Sequence, residues 1–173
     1  MSDAAKRRIF AMLDADGDGV LTHAEYLARV DEVASAMGRD LCHPVVVAAR
    51  SAHEAVFADM DADRDGRVLF EEYRLWAGHA SFERSCRPAL GSLFDIADAD
   101  ADGRLNRADF VRLRTAARNA AADAGAAFDE LDTGQDGLID RDTYLAGIKD
   151  FVVTGVSAMA ASYGAASAAR EGV

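Results

Sequence analysis

The chain has 173 residues, half of them hydrophobic, so it can bury a sizeable core in one compact unit or two small lobes. Its formal net charge of −11 argues against nucleic acid or an anionic membrane surface as a general partner, because both would repel it. The sequence predicts no secretory signal and no membrane span. Two isolated cysteines, Cys42 and Cys86, fit reduced thiols in a cytoplasmic protein, which we expect to be a monomer.

The first predicted helix, Asp3 to Leu13, turns Phe10 and Leu13 to one face, and we interpret the basic residues on its other face as solvated. It leads into a segment, residues 14–25, whose oxygen donors stand at fixed intervals. Gly19 at its sixth position can take a sharp turn that a side chain would make costly. Counted from position 1, the donors at positions 1, 3, 5, 7, 9 and 12 are Asp14, Asp16, Asp18, the Val20 carbonyl, Thr22 and Glu25.

This spacing is that of an EF-hand calcium loop, in which the glutamate at position 12 binds the ion with both oxygens. The alternative is a solvated acidic turn. An acidic turn would explain the charge but not the complete set of spaced donors, and the same frame returns three more times in the chain. We therefore predict Ca²⁺ as the ligand of this loop.

The second repeat begins after a helix that should stop near Gly38 and a connector that ends before Pro44. Pro44 is predicted to start a helix that ends at Met60, with His53 on its surface. Loop two, residues 61–72, carries carboxylates at positions 1, 3, 5 and 12, namely Asp61, Asp63, Asp65 and Glu72. Leu69 replaces the donor at position 9, which often acts through water, so this site should be weaker but not empty.

The segment from Gly78 to Pro88 is predicted to bridge two halves of the chain, residues 1–80 and 81–173. Trp76 precedes it as a core or hinge anchor. Pro88 is expected to start the next helix, which runs to Ala97; if the helix began earlier, the proline would bend it.

Loop three, residues 98–109, has Asp98, Asp100 and Asp102 at positions 1, 3 and 5 but ends in Asp109. Aspartate is one methylene shorter than glutamate, so it supplies two oxygens only if the loop contracts. With one oxygen from position 12, the ion has a lower coordination number, which favours Mg²⁺ relative to Ca²⁺ at this loop. A helix is predicted from Asp109 to Asp123, and Gly125 should mark its break from the last repeat.

Loop four, residues 132–143, is damaged, because Gly134 occupies position 3 and Thr143 cannot replace the carboxylate at position 12. We expect it to be empty at ordinary calcium levels and to act as the structural partner of loop three. Beyond it, apolar residues at helical spacing predict a docking helix from Phe151 to Tyr163.

The four repeats share their flanks as well as their loops. A phenylalanine stands four residues before each loop, an aromatic residue follows each loop, and position 8 is always aliphatic. Aliphatic side chains at position 8 suit a short antiparallel bridge that pairs loop one with loop two and loop three with loop four. The predicted fold is all-α, with four EF-hand helix-loop-helix repeats arranged as two pairs in a compact unit.

The number of loops, their uneven spacing and the damaged fourth loop resemble the sarcoplasmic type of calcium-binding protein and its bacterial relatives of the calerythrin type. The resemblance implies a compact intracellular protein that buffers or carries calcium. It also implies that the metal ligands are the residues at matching loop positions of the first three repeats. Besides the side chains given above, these include the carbonyls of Arg67 and Arg104 and the residue Asn106.

Two functions remain open from the sequence: a calcium buffer, and a calmodulin-like sensor that regulates a protein partner. Sensors line their grooves with methionine. The methionines of this chain are scattered, and its C-terminal apolar stripe could fill a groove internally, which favours the buffer. An enzyme is not expected, because no nucleophile, base or phosphate-binding constellation stands outside the loops.

Overall fold

The computed structural model describes residues 2–119 and 121–154. Helix α1 begins after Ser2, whose side chain accepts a hydrogen bond from the Ala5 N–H (3.3 Å), and α3 begins at Pro44, whose fixed φ suits the first helical position. Both helices end where the sequence predicts. In chain order, the first half contains α1 (Asp3–Leu13), β1 (Val20–Thr22), α2 (His23–Ala36), α3 (Pro44–Met60), β2 (Arg67–Leu69) and α4 (Phe70–Trp76).

The second half continues with helices that flank loops three and four. Its last helix runs through Thr154, and the remainder of the predicted docking helix, residues 155–163, lies outside the described residues. In chain order it contains α5 (His79–Ser81), a π-helical segment (Phe82–Cys86), α6 (Arg87–Ala97), β3 (Arg104–Asn106), α7 (Arg107–Ala116), α8 (Ala121–Leu131), β4 (Leu138–Asp140) and α9 (Arg141–Thr154).

Pro88 does not start a helix, because the segment that bridges the two halves is already helical from His79 onward. Pro88 is the second residue of α6 and has no N–H to continue an α-helical ladder. The wider π turn directly before it absorbs the mismatch: the Arg87 N–H bonds to the Phe82 carbonyl, five residues back. The chain therefore passes between its halves as a continuous helical segment.

The break predicted at Gly125 is also misplaced. Helix α7 ends at Ala116, and the turn after it holds Arg118 at a φ of 71°. The Asn119 side chain caps this turn by donating to the Arg114 carbonyl at 2.9 Å. Gly125 lies inside α8, where a Cβ would stand 2.7 Å from the Arg107 guanidinium, so the glycine permits a close approach rather than a helix end.

The loops pair as predicted. Strand β1 pairs antiparallel with β2, which places Leu21 opposite Val68, and β3 pairs antiparallel with β4, which places Leu105 opposite Ile139. These four side chains, each at position 8 of its loop, are buried. The fold is all-α, with four EF-hand repeats in two pairs.

In the part of the chain that the structure describes, the core consists of two groups of buried side chains. The smaller group lies within the N-terminal pair and α6. The larger group joins both halves, because Val30 and Val33 of α2 share it with Leu93 and Phe94 of α6 and with residues of α7, α8 and α9. The boundary between residues 80 and 81 stays a prediction.

Arg39 and Arg118, here called the crossed arginines, each reach from one half to the other. Arg39 follows α2 and donates to the carbonyls of Ile96 (3.3 Å) and Asp98 (3.1 Å) at the end of α6. Arg118 follows α7 and donates to the Leu13 carbonyl at the end of α1 (3.0 Å) while it pairs with Glu32 of α2. Each guanidinium therefore satisfies carbonyls that a helix end leaves without partners.

One surface expectation is wrong. His53 is only 1% exposed, because α3 packs against both α2 and α6, and its Nδ1 lies 2.8 Å from the Ala49 carbonyl oxygen. On the basic face of α1, Arg7 and Arg8 are exposed, as expected, and Lys6 is partly buried. This face makes tertiary contacts as well: the Arg7 guanidinium lies 4.0 Å from the centre of the Phe70 ring, and Lys6 donates to the Arg74 carbonyl.

Both cysteines are free thiols, as predicted; Cys42 is exposed and Cys86 is partly buried. No helix formed by the described residues is both long and apolar enough to cross a membrane.

Candidate metal centre

The same hydrogen bond closes each of the four loops. The aspartate at position 1 accepts the backbone N–H of the glycine at position 6, at 2.8–3.0 Å, and this glycine has a φ near +80° in each loop. The bond closes the loop around the space that its donors surround. The pairs are Asp14 with Gly19, Asp61 with Gly66, Asp98 with Gly103, and Asp132 with Gly137.

Position 4 of every loop is also left-handed, which the sequence reading missed. Only loop one has a glycine there, and the other loops hold ordinary residues in a conformation that L side chains rarely adopt. An alignment of the loops at position 4 offers no shared residue type that could have signalled this. The φ values are 73° at Gly17, 62° at Arg64, 59° at Ala101 and 52° at Gln135.

Loop one brings Asp14, Asp16 and Glu25 together, with one carboxylate oxygen from each lying within 4.8 Å of the others. Glu25 reaches back across the loop, where it accepts the Ala15 N–H (3.2 Å) and the Thr22 hydroxyl (2.7 Å). Burial pushes the pKa of Glu25 up, but the bonds from Thr22 and the backbone outweigh it, so this pKa lies below its ordinary value. The carboxylate is thus held ionised at the place where a cation would bind.

Loop two brings Asp61, Asp63 and Glu72 together in the same way. The Glu72 Oε2 accepts the Leu69 N–H at 2.9 Å, whereas its Oε1 is buried and accepts no hydrogen bond. A buried carboxylate oxygen without a donor is costly unless something positive meets it. The residues of loop two therefore fit a metal ion.

Loop three brings together Asp98, Asp100 and Asp102, but not Asp109. The Asp109 Oδ2 accepts a bond from the Asn106 amide (2.8 Å), and the Asn106 Oδ1 accepts the Asp109 N–H (3.0 Å). The shorter aspartate at position 12 is therefore engaged with position 9 instead of joining the cluster. The structure of loop three therefore departs from that of loops one and two at position 12, where its sequence has aspartate in place of glutamate.

The other predicted ligands lie on the same loops, but outside these clusters. Asp18 and Asp65, at position 5, each accept the N–H two residues on, at 2.8 Å, from Val20 and Arg67. Thr22 caps α2 together with Glu25. The full ligand set stays a prediction.

Loop four keeps its shape without a carboxylate at position 12. Asp140 at position 9 accepts the Thr143 N–H at 2.7 Å, and this bond lowers the pKa of Asp140. Among the described residues, no group of three metal-binding side chains comes together in this loop. Loop four is joined to loop three by the backbone pairing of β4 with β3, in which Ile139 lies opposite Leu105.

Position 10 of each loop contacts the entering helix of the partner loop, which the sequence reading also missed. In the C-terminal pair, Arg107 bonds to Asp129 and Arg141 to Asp95, both at 2.9 Å from Nε. Both aspartates stand three residues before a loop, so an alignment of the repeats could have found these ion pairs. In the N-terminal pair, position 10 makes edge-on ring contacts instead, between His23 and Phe57 and between Phe70 and Phe10.

The chain is similar to known calcium-binding proteins. A family model described as an EF-hand domain pair matches residues 3–77, and one described as an EF hand matches residues 90–113. Calerythrin from Saccharopolyspora erythraea is 29% identical over 161 residues, which span 87% of this chain and 90% of calerythrin.

Solved structures share the fold. A calcium-binding protein from Streptomyces coelicolor superposes with a TM-score of 0.74 at 24% identity, covering 86% of this chain and 97% of its own. The photoprotein clytin superposes with a TM-score of 0.77 at 19% identity, covering 94% of this chain and 92% of its own.

Proposed function

We infer the function from the premise that this chain belongs to the EF-hand calcium-binding proteins of the calerythrin type. We propose that it binds three calcium ions, at loops one, two and three, and works as a cytoplasmic calcium buffer or carrier, with loop four vacant. The observation that carries this proposal is the set of three carboxylate clusters, one in each of these loops. The buried Glu72 Oε1, which lacks a hydrogen-bond donor, adds a specific reason for a cation in loop two.

The number of ions can be counted by calorimetric titration of the metal-free chain with calcium. We expect three ions for the wild type, about two for Asp61→Asn, which removes a charge from loop two, and three for the matched change Asp132→Asn in loop four. A fourth ion that disappears in Asp132→Asn would contradict the vacancy of loop four.

The buffer is favoured over the sensor by where the methionines lie. Met60 is buried, and Met12 and Met37 are partly buried against the core. The described residues therefore present no exposed methionine groove of the kind that sensors offer to a partner helix.

The sensor remains the second candidate, because the Streptomyces coelicolor structure is described as a basis for calcium-mediated regulation. An apolar dye such as ANS separates the two. In a buffer, calcium neutralises the loop carboxylates and tightens the packing, so dye binding should fall and the melting temperature should rise. A large calcium-induced rise in dye binding would overturn the buffer and promote the sensor.

A further inference from the structure

A partly open cavity of about 70 Å³ lies beside the N-terminal pair and is lined by α1, α2, α3 and α4 together with the π-helical segment, α6 and α9. Its walls are mostly apolar, with side chains that include Met12, Met60, Trp76 and Leu90. A single water needs only about 10–15 Å³ of such space, so the cavity has room for more than one water. The space suits a small organic molecule.

Among the described residues, one charged side chain lines this cavity. Arg29 of α2 is only 6% exposed, and its Nε is buried and makes no hydrogen bond. No carboxylate of residues 2–119 or 121–154 forms an ion pair with it. A buried Nε without a hydrogen-bond acceptor, on a cation without an ion-pair partner, is unfavourable, because it has lost hydration without a compensating contact.

His53 and Cys86, which interact with Arg29, carry no negative charge. Burial and then the charge of Arg29 lower the pKa of His53 to about 4, so this imidazole is neutral at neutral pH. Burial raises the pKa of Cys86, which also lines the cavity, to about 12, so it remains a thiol. The cation stands in the cavity wall without a counter-charge from either group.

We propose that this cavity binds a small amphipathic carboxylate, with the carboxylate on the Arg29 guanidinium and the apolar body against Met12, Met60 and Trp76. An arginine fork matches the two oxygens of a carboxylate, and the interaction is strong where water is excluded. The apolar walls reject a small hydrophilic anion, which would lose its hydration without a matching surface. A short aliphatic acid has both required parts.

This site goes beyond calcium binding, but its position couples it to calcium. Leu13 and Met60, which line the cavity, stand directly before the first residues of loops one and two. Tyr26 and Tyr73, which also line it, stand directly after the last residues of the same loops. An ion that fixes these loops fixes part of the cavity wall, so calcium and the carboxylate alter each other's affinity by the same factor.

The test uses the full calcium-loaded chain and three compounds of equal length but different charge: hexanoate, 1-hexanol and hexylamine. Trp76, the single tryptophan of the sequence, lines the cavity and reports occupancy through its fluorescence, and calorimetry gives the stoichiometry. We expect one hexanoate per chain, bound at least about tenfold more tightly than 1-hexanol, with hexylamine binding more weakly than either. Equal binding of hexanoate and 1-hexanol, or no binding of any compound because another part of the chain fills the cavity, would overturn the proposal.

Two matched variants test the role of the charge. Arg29→Met removes the guanidinium but keeps a long, unbranched side chain. It should weaken hexanoate binding by about tenfold or more, while the affinity for 1-hexanol stays the same or rises. Arg8→Met makes the same substitution on the exposed face of α1 and should leave both affinities unchanged. An Arg29→Met chain that folds, as judged by circular dichroism, yet binds hexanoate as tightly as the wild type would show that the guanidinium does not hold the ligand. If that variant does not fold, the comparison of the three compounds on the wild type still decides.

Discussion

The buried His53 makes the stability of the calcium-free chain depend on pH in a window that can be worked out. Its pKa is 6.5 in an unfolded chain and about 4 in the fold, where burial and the charge of Arg29 disfavour the imidazolium. The folded state therefore binds fewer protons than the unfolded state between these values, so the stabilisation is full above 6.5 and is lost as the pH falls towards 4. With about 1.36 kcal/mol per pKa unit, His53 alone should lower the free energy of unfolding by about 2 kcal/mol between about pH 7 and about pH 5.

The assay is urea unfolding followed by circular dichroism at several pH values in this window, with a chelator present so that metal release does not contribute. His53→Leu should remove most of this loss, because leucine fills the buried position without titrating. His79→Leu changes an exposed histidine and should leave the pH dependence as it is in the wild type. If wild type and His53→Leu lose the same free energy from about pH 7 to about pH 5, the burial of His53 does not control the acid stability.

Three further predictions concern the loops and the buried arginine. Glu25→Gln removes a charge and the grip of two oxygens, so it should weaken calcium binding at loop one by at least about tenfold and leave the other ions bound; calorimetry with unchanged affinities would contradict this. Asp109→Glu lengthens the side chain that does not join its cluster, so it should raise the preference of loop three for calcium over magnesium, and an unaltered preference in competition titrations would refute the argument. Arg29→Met removes an unpaired buried cation, so without a carboxylate present it should raise the free energy of unfolding by about 1 kcal/mol, and a lower melting temperature would count against Arg29 being unpaired.

The sequence predicted the parts of the structure that depend on short, repeated spacings. The loop frames, the strand partners and the bounds of α1 and α3 follow from residues within one repeat or from its comparison with the next. The departure at Asp109 was also visible in the sequence, because the missing methylene can be read from the residue type.

The features that the sequence reading missed depend on contacts between distant segments. His53 looks like a surface residue on α3 until α2 and α6 cover it, and Arg29 looks like one of many solvated arginines, although it is buried beside a cavity that α1, α4 and α9 also line. The π turn before Pro88 is a local feature, but it is needed only because the helix begins at His79 and not at Pro88 as expected. Tertiary packing decided each of these outcomes.

The crossed arginines have a consequence for any attempt to divide the protein. Arg118 donates to a carbonyl at the end of the helix that leads into loop one, and Arg39 donates to carbonyls at the end of the helix that leads into loop three. Each half therefore supplies the arginine that caps a helix of the other half. A fragment of residues 1–80 or 81–173 would lack the cap for its own first loop and would expose its share of the common core. We expect both fragments to be poorly ordered alone and to recover calcium binding when mixed, as in fragment complementation.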